Sequence, residues 1–195
     1  NAAENELNWV TVSEVFFTSR NLKENVDSPA YWSGSDGERW LISTTKATHS
    51  LLVEDAANGA FIKRIGGLGP QLGQFNRPNG VFVINDVVFV VERDNQRVQA
   101  LALPAFSPLG TFGEELLTNP YGLYVRAVDP EVYEVYVSDN YETADESVPP
   151  THELGERIAI FEVEVEGDSE GTMDAEFSRY LGETSGEGAI RIAES

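Results

Sequence analysis

The chain has 195 residues, 13 Lys+Arg against 33 Asp+Glu, a formal net charge of −20 and no cysteine. A binding mode led by neutralising a nucleic-acid backbone needs a basic face and is excluded, as are disulfides and thiolate metal sites, and no stretch nears the ~20 consecutive apolar residues of a membrane span. A hydrophobic fraction of 41% with 10% aromatics marks a folded chain, so the acidity points to a solvated acidic surface, cation binding or a saline habitat rather than to disorder.

The chain begins with Asn1 rather than Met. A secreted or periplasmic protein that has lost its signal peptide would begin this way, and so would a trimmed chain. Trp9 to Phe17 is rich in β-branched and aromatic residues and predicts a strand over about 8–18. A first unit runs from about 25 to 70, with Ser28-Pro29-Ala30-Tyr31-Trp32 leading to Trp40-Leu41-Ile42-Ser43-Thr44-Thr45. A second spans about 71–114 and opens on Gly73-Gln74-Phe75-Asn76-Arg77-Pro78-Asn79-Gly80-Val81. Its strands are expected at Gly80–Ile84, Val87–Val91, Arg97–Leu103 and Pro108–Phe112, with Asn85-Asp86 as a tight turn. A third, about 115–183, opens on Asn119-Pro120-Tyr121-Gly122. It carries a polar loop with two prolines, Tyr141 to Thr151, before an alternating strand from Arg157 to Glu166. Gly186-Glu187-Gly188-Ala189-Ile190 starts a fourth unit, about 184–195.

Pro78 and Pro120 lie 42 positions apart, as do Gly80 and Gly122. Short strands split by Gly, Asn, Asp and Pro at a period of ~40–45 residues predict an all-β fold, a β-propeller of four-stranded antiparallel blades. Ordinary rings have ~4–8 blades, so about three to four blades predict an incomplete ring. Residues 189–195 look like a strand cut short. The expected partner is therefore the remaining half of the propeller, as a C-terminal segment or a second chain.

Gly73–Val81 and Glu92-Arg93-Asp94-Asn95-Gln96-Arg97-Val98-Gln99 resemble the NHL repeat. That repeat is specific for fold and poor for function, because such propellers include enzymes and binding platforms. Beyond it, Asn25-Val26-Asp27-Ser28-Pro29-Ala30-Tyr31-Trp32 resembles the D-x-D-D-P-A-[I/V]-W motif of the β-propeller phytases, in their marine, NHL-like branch. Leu41-Ile42-Ser43-Thr44-Thr45-Lys46, Glu92-Arg93, Asn119-Pro120-Tyr121-Gly122 and Glu187-Gly188 resemble further motifs of that family, in the family's order. Pro78-Asn79-Gly80-Val81 departs from the family's N-N-V-D-x-R, and a lysine expected near Ser138-Asp139-Asn140 is absent.

The resemblance implies a calcium-dependent phosphomonoester hydrolase similar to 3-phytase, taking phytate or another phosphorylated small molecule. Asp27 and Glu187 would be catalytic and bind Ca2+; Lys46, Arg93 and Tyr121 would bind substrate. The chemistry is coherent with the composition. Carboxylates hold hard cations, the cations bridge to phosphate oxygens, and a metal-activated water attacks without a Ser or Cys nucleophile. Arg suits phosphate because its donors form a fork. No nucleic-acid or membrane partner is expected. Several residues fit a second reading. Asp27 before Ser28-Pro29 is a good turn residue. Lys46 would serve as a solvated loop cation, and Arg93 and Arg97 as ion-pair fasteners with Asp94 and Glu92. His49 and His152 fit surface or turn positions. Glu142, Asp145, Glu146 and Glu153 are a solvated acidic loop or a further calcium site, and Glu162, Glu164 and Glu166 the wet face of a strand. Two other functions remain open: a non-catalytic NHL-type propeller binding a ligand or protein, and a calcium-dependent propeller lactonase.

Overall fold

The structure, a computed structural model, describes residues 10–14, 16–17, 22–167 and 171–181. The described residues form three four-stranded antiparallel sheets and no α-helix. The first is β1 (Val26–Ser33), β2 (Arg39–Thr45), β3 (Ser50–Asp55) and β4 (Phe61–Ile65). The second is β5 (Pro78–Ile84), β6 (Val87–Glu92), β7 (Arg97–Ala102) and β8 (Ser107–Phe112). The third is β9 (Pro120–Asp129), β10 (Val132–Asp139), β11 (Ile158–Glu166) and β12 (Thr172–Leu181). Strand order follows chain order in each, so these are propeller-like blades, and the described residues do not close them into a ring.

The blades stack because alternate residues of a strand face opposite sides of its sheet. In the second blade Val88, Val90 and Leu101 pack onto Ile42, Leu51 and Val53 of the first. The intervening Phe89, Val91 and Val98 pack onto Tyr133, Val135 and Phe161 of the third. Strands β6 and β7 are therefore buried along their whole length. The third blade's other side carries exposed Tyr124, Glu162 and Glu164. The loop at 141–150 forms as expected and ends in a 3-10 turn, Thr151–Glu153. Residues 10–14 and 16–17, part of the strand expected over about 8–18, carry no strand, with Val10, Val12 and Phe17 exposed. The fourth unit, 184–195, lies outside the described residues.

Three features repeat and fix where functional side chains sit. Strands β1, β5 and β9 neighbour one another in turn, so the first strand of each blade is its inner strand. Each pairs its first residue with the last of the second strand, Val26 with Thr45, Pro78 with Glu92 and Pro120 with Asp139, next to a bulge. The residue after the second strand then donates its N–H back to the residue before the first. These bonds run from Lys46 to Asn25 O at 3.0 Å, Arg93 to Arg77 O at 3.2 Å and Asn140 to Asn119 O at 2.9 Å. Bulges re-aim the side chains that follow them, and here they do so at the same place in three blades.

The first of the repeat's two glycines, Gly80, has a packing reason. A Cβ on Gly80 would lie 3.0 Å from Gly122 Cα, Leu123 Cδ2 and Tyr121 O. Only hydrogen fits where β5 meets β9. The NHL-like segment supplies the internal fastening of blade two. Arg97 Nε meets Glu92 Oε1 at 2.8 Å, with 8% and 0% of their side chains exposed. Arg97 also donates to Pro70 O at 2.8 Å. Among the described residues Arg93 takes no part in this fastening, and no ion pair joins it to Asp94 or Glu92.

Candidate functional site

The second residue of each inner strand is Asp27, Asn79 and Tyr121, and the residue just past each second strand is Lys46, Arg93 and Asn140. Register puts all six at one end of the blades. Three of the five residues expected from the sequence to form the site meet there. Lys46 Nζ lies 3.1 Å from Asp27 Oδ2 and donates to Tyr121 Oη at 3.1 Å. It also sits 4.9 Å from the centre of the Tyr121 ring. Asp27 and Lys46 belong to the first blade and Tyr121 to the third, so the lysine spans the inner strand of the second. The Lys46 side chain is 13% exposed and that of Asp27 29%. A lysine held by a carboxylate, a hydroxyl and a π face at a half-covered position is not a solvated loop cation; it is a placed positive charge.

Arg93 occupies in the second blade the place Lys46 occupies in the first. Its backbone N–H is used by Arg77 O, and its half-buried side chain makes no hydrogen bond or ion pair among the described residues. Arg77 precedes the same strand, is exposed, holds φ at +51°, and donates its N–H to His49 Nδ1 at 3.0 Å. Three of the chain's 13 Lys+Arg residues thus gather at one end of two adjacent blades. Of the acids at this end, Asp27 is paired with Lys46, Glu24 with Arg64 and Glu92 with Arg97, while Asp94 is exposed. Arg64 and Thr48 hold the Glu24 carboxyl below its usual range. The result is a basic patch of three side chains at one end of the first two blades of a strongly anionic protein.

Under the patch lies Asn79, which no sequence motif marks as a site residue. It is 0% exposed, and its backbone oxygen accepts from Thr44 Oγ1 of the first blade at 2.6 Å. Neither Nδ2 nor Oδ1 of its side chain has a partner among the described residues. The signal that could have found it is the repeat: aligning the units on Pro78 and Pro120 sets Asn79 in the position of Tyr121, and strand register adds Asp27 of the first blade. The phytase-like motif has an acid in this segment, so likeness to that family gives Asn79 no role.

Calcium requires 6–8 oxygen ligands. Among the described residues no group of three or more His, Asp or Glu is assembled. Asp27 faces an ammonium, which is the wrong neighbour for a cation ligand. The described residues by themselves do not fit a calcium ion. Glu187, the other expected ligand and catalytic carboxylate, lies outside them. The acidic loop is no substitute. Asp145 is occupied by the Thr143 and Ser147 hydroxyls, which hold its carboxyl below the usual range. His152 lies exposed beside Glu153, and His49 is the turn residue described above.

Other polar side chains on the same end are structural. Asp139, 3% exposed, accepts the N–H groups of Thr118 and Asn119, each at 2.7 Å, and so shapes the turn that presents Tyr121. Burial pushes its carboxyl up and those two N–H groups pull it back. Arg157, 3% exposed, lies 4.5 Å from the centre of the Tyr141 ring and donates to Asn140 Oδ1 at 2.9 Å, anchoring the long loop.

No protein-family profile matches the chain. No curated protein matches it either. Among solved structures it is similar to the computationally designed Ika4 protein, at TM-score 0.43 and 10% identity over 86% of this chain and 99% of that one. It is also similar to Kuenenia stuttgartiensis hydrazine synthase, at TM-score 0.48 and 8% identity over 90% of this chain and 54% of that one. Likeness at this level carries no functional argument, so function rests on the side chains.

Proposed function

We propose that this chain supplies the phosphate-holding part of a phosphomonoester hydrolase resembling 3-phytase, with phytate or another phosphorylated small molecule as its substrate. One observation carries the reading. Lys46 of the first blade is fixed between Asp27 and Tyr121 of the third, and the equivalent place in the second blade carries an Arg93 whose side chain makes no ion pair among the described residues. An ammonium and a guanidinium at the same end of adjacent blades give a phosphate monoester a point charge and a fork of donors. Tyr121 lines the same end and its hydroxyl orients the lysine. Hydrolysis would draw its water-activating groups from beyond the described residues.

The absence of a carboxylate cluster among the described residues favours a second reading, a non-catalytic propeller that binds a phosphorylated ligand at this end. Release of inorganic phosphate from phytate, measured with added calcium and with chelator, separates the two. The first reading expects release that needs calcium and falls at least about tenfold in Lys46→Met. Tight binding of phytate with no release at any calcium concentration would leave only the second.

A further inference from the structure

We propose that Asn79 is a further phosphate-binding residue of this site, an inference that rests on the reading of Lys46 and Arg93 as an anion site. Native proteins leave few buried polar groups unpaired, and each exception calls for a physical reason. A buried carboxamide with no partner costs stability that an apolar side chain of similar size would not. Asn79 carries that cost at its donor and its acceptor together. Its place explains why. It follows Pro78 on the inner strand of the second blade, flanked by Thr44 of the first and by the Gly80–Tyr121 contact with the third. Lys46 reaches from the first blade to Tyr121 of the third, past the inner strand that carries Asn79 at the equivalent position. When a phosphate draws the Lys46 ammonium away from Tyr121, the Asn79 carboxamide gains access to the anion. Nδ2 then donates to a phosphate oxygen, and Oδ1 accepts from the P–OH of a monoprotonated phosphate or from the relocated ammonium. A group that is unpaired in the free protein and paired in the complex sacrifices stability for binding.

This predicts effects of opposite sign in one variant. Asn79→Ala should melt no lower than the wild type in the absence of ligand and yet bind inorganic phosphate at least about tenfold more weakly by calorimetric titration. A residue that is only a packing element would give the reverse, a lower melting temperature and unchanged affinity. In the wild-type chain, the Asn79 side-chain 15N–1H2 signals, assigned through Cγ, should shift on adding inorganic phosphate; this readout needs no variant to fold. If Asn79→Ala keeps wild-type affinity or the amide signals stay fixed while Lys46→Met loses binding, this inference fails and the anion site stands. If the wild-type chain binds no phosphate, the anion site fails and Asn79 has no ligand to bind.

Discussion

Replacing Arg97 by Met removes the cation that neutralises Glu92 while keeping much of the aliphatic stem. The Glu92 side chain is fully buried. Its two oxygens accept from Arg97 Nε at 2.8 Å, Gln99 Nε2 at 3.0 Å, the Asn76 N–H at 3.1 Å and Asn95 Nδ2. Burial pushes the carboxyl up, and Arg97, Asn95 and Asn76 oppose that shift. Four donors converging on two oxygens leave no room for a carboxyl proton, so the pair is ionised at neutral pH. Two unit charges ~4 Å apart at an effective dielectric constant of ~20 interact by about 4 kcal/mol. Removing one partner of a buried pair costs about 3–5 kcal/mol, because the other charge stays behind. Arg97→Met should lower unfolding free energy by that amount, a large share of the ~5–15 kcal/mol a domain has. Urea unfolding followed by tryptophan emission measures it, since Trp32 and Trp40 are buried at the contact of the first two blades. Adding Glu92→Gln to Arg97→Met should recover part of the loss. A single variant within about 1 kcal/mol of wild type, or a double variant that loses the sum of the singles, would refute the reasoning.

Two further expectations concern the inter-blade contact and the acid limb. Gly80→Ala should cost about 1–3 kcal/mol by overpacking against the Gly122 and Tyr121 backbone, whereas Gly122→Ala, whose Cβ would meet only Ser138 Oγ at 3.3 Å, should cost less; equal melting temperatures for the two would contradict the close approach. Glu134 is held at about 2, down from 4.5, by the Tyr136 hydroxyl and then by Arg126, with Arg179 adding to them. A depressed folded value means that the ionised carboxylate's contribution is present above 4.5 and disappears as pH falls through about 2. The stability gap between wild type and Glu134→Gln should therefore be flat above about pH 5 and shrink toward about pH 2; a gap that stays constant over that range would show that the network does not set the carboxylate's affinity for protons.

Much of the fold is legible in the sequence because the chain repeats its own instructions. Pro78 with Gly80 and Pro120 with Gly122 mark one structural position in two blades, and the structure gives the reason in the Gly80–Gly122 approach. The strands of the second blade appear within one or two residues of their expected ends, since β6 and β7 are apolar runs broken by Asn85-Asp86 and by the turn at 93–96. The site is half legible. Motif likeness points to Asp27, Lys46 and Tyr121 one at a time, and nothing in their spacing shows that a lysine 75 positions from a tyrosine would bond to it. That contact depends on how consecutive blades stack. The repeat marks the position of Asn79 but not its state: an unpaired amide is a property of its surroundings, and no local pattern announces it. Arg97 can be assigned to fastening from the NHL-like segment alone, because both partners of the pair sit at the ends of one hairpin.

If the Lys46 end of the blades holds a phosphorylated anion, calorimetric titration of phytate into the wild-type chain and into Lys46→Met shows it directly. Binding that weakens at least about tenfold in the variant, and weakens further with salt in both, is the predicted result. Equal affinity in the two proteins, or no binding to the wild-type chain, would contradict it.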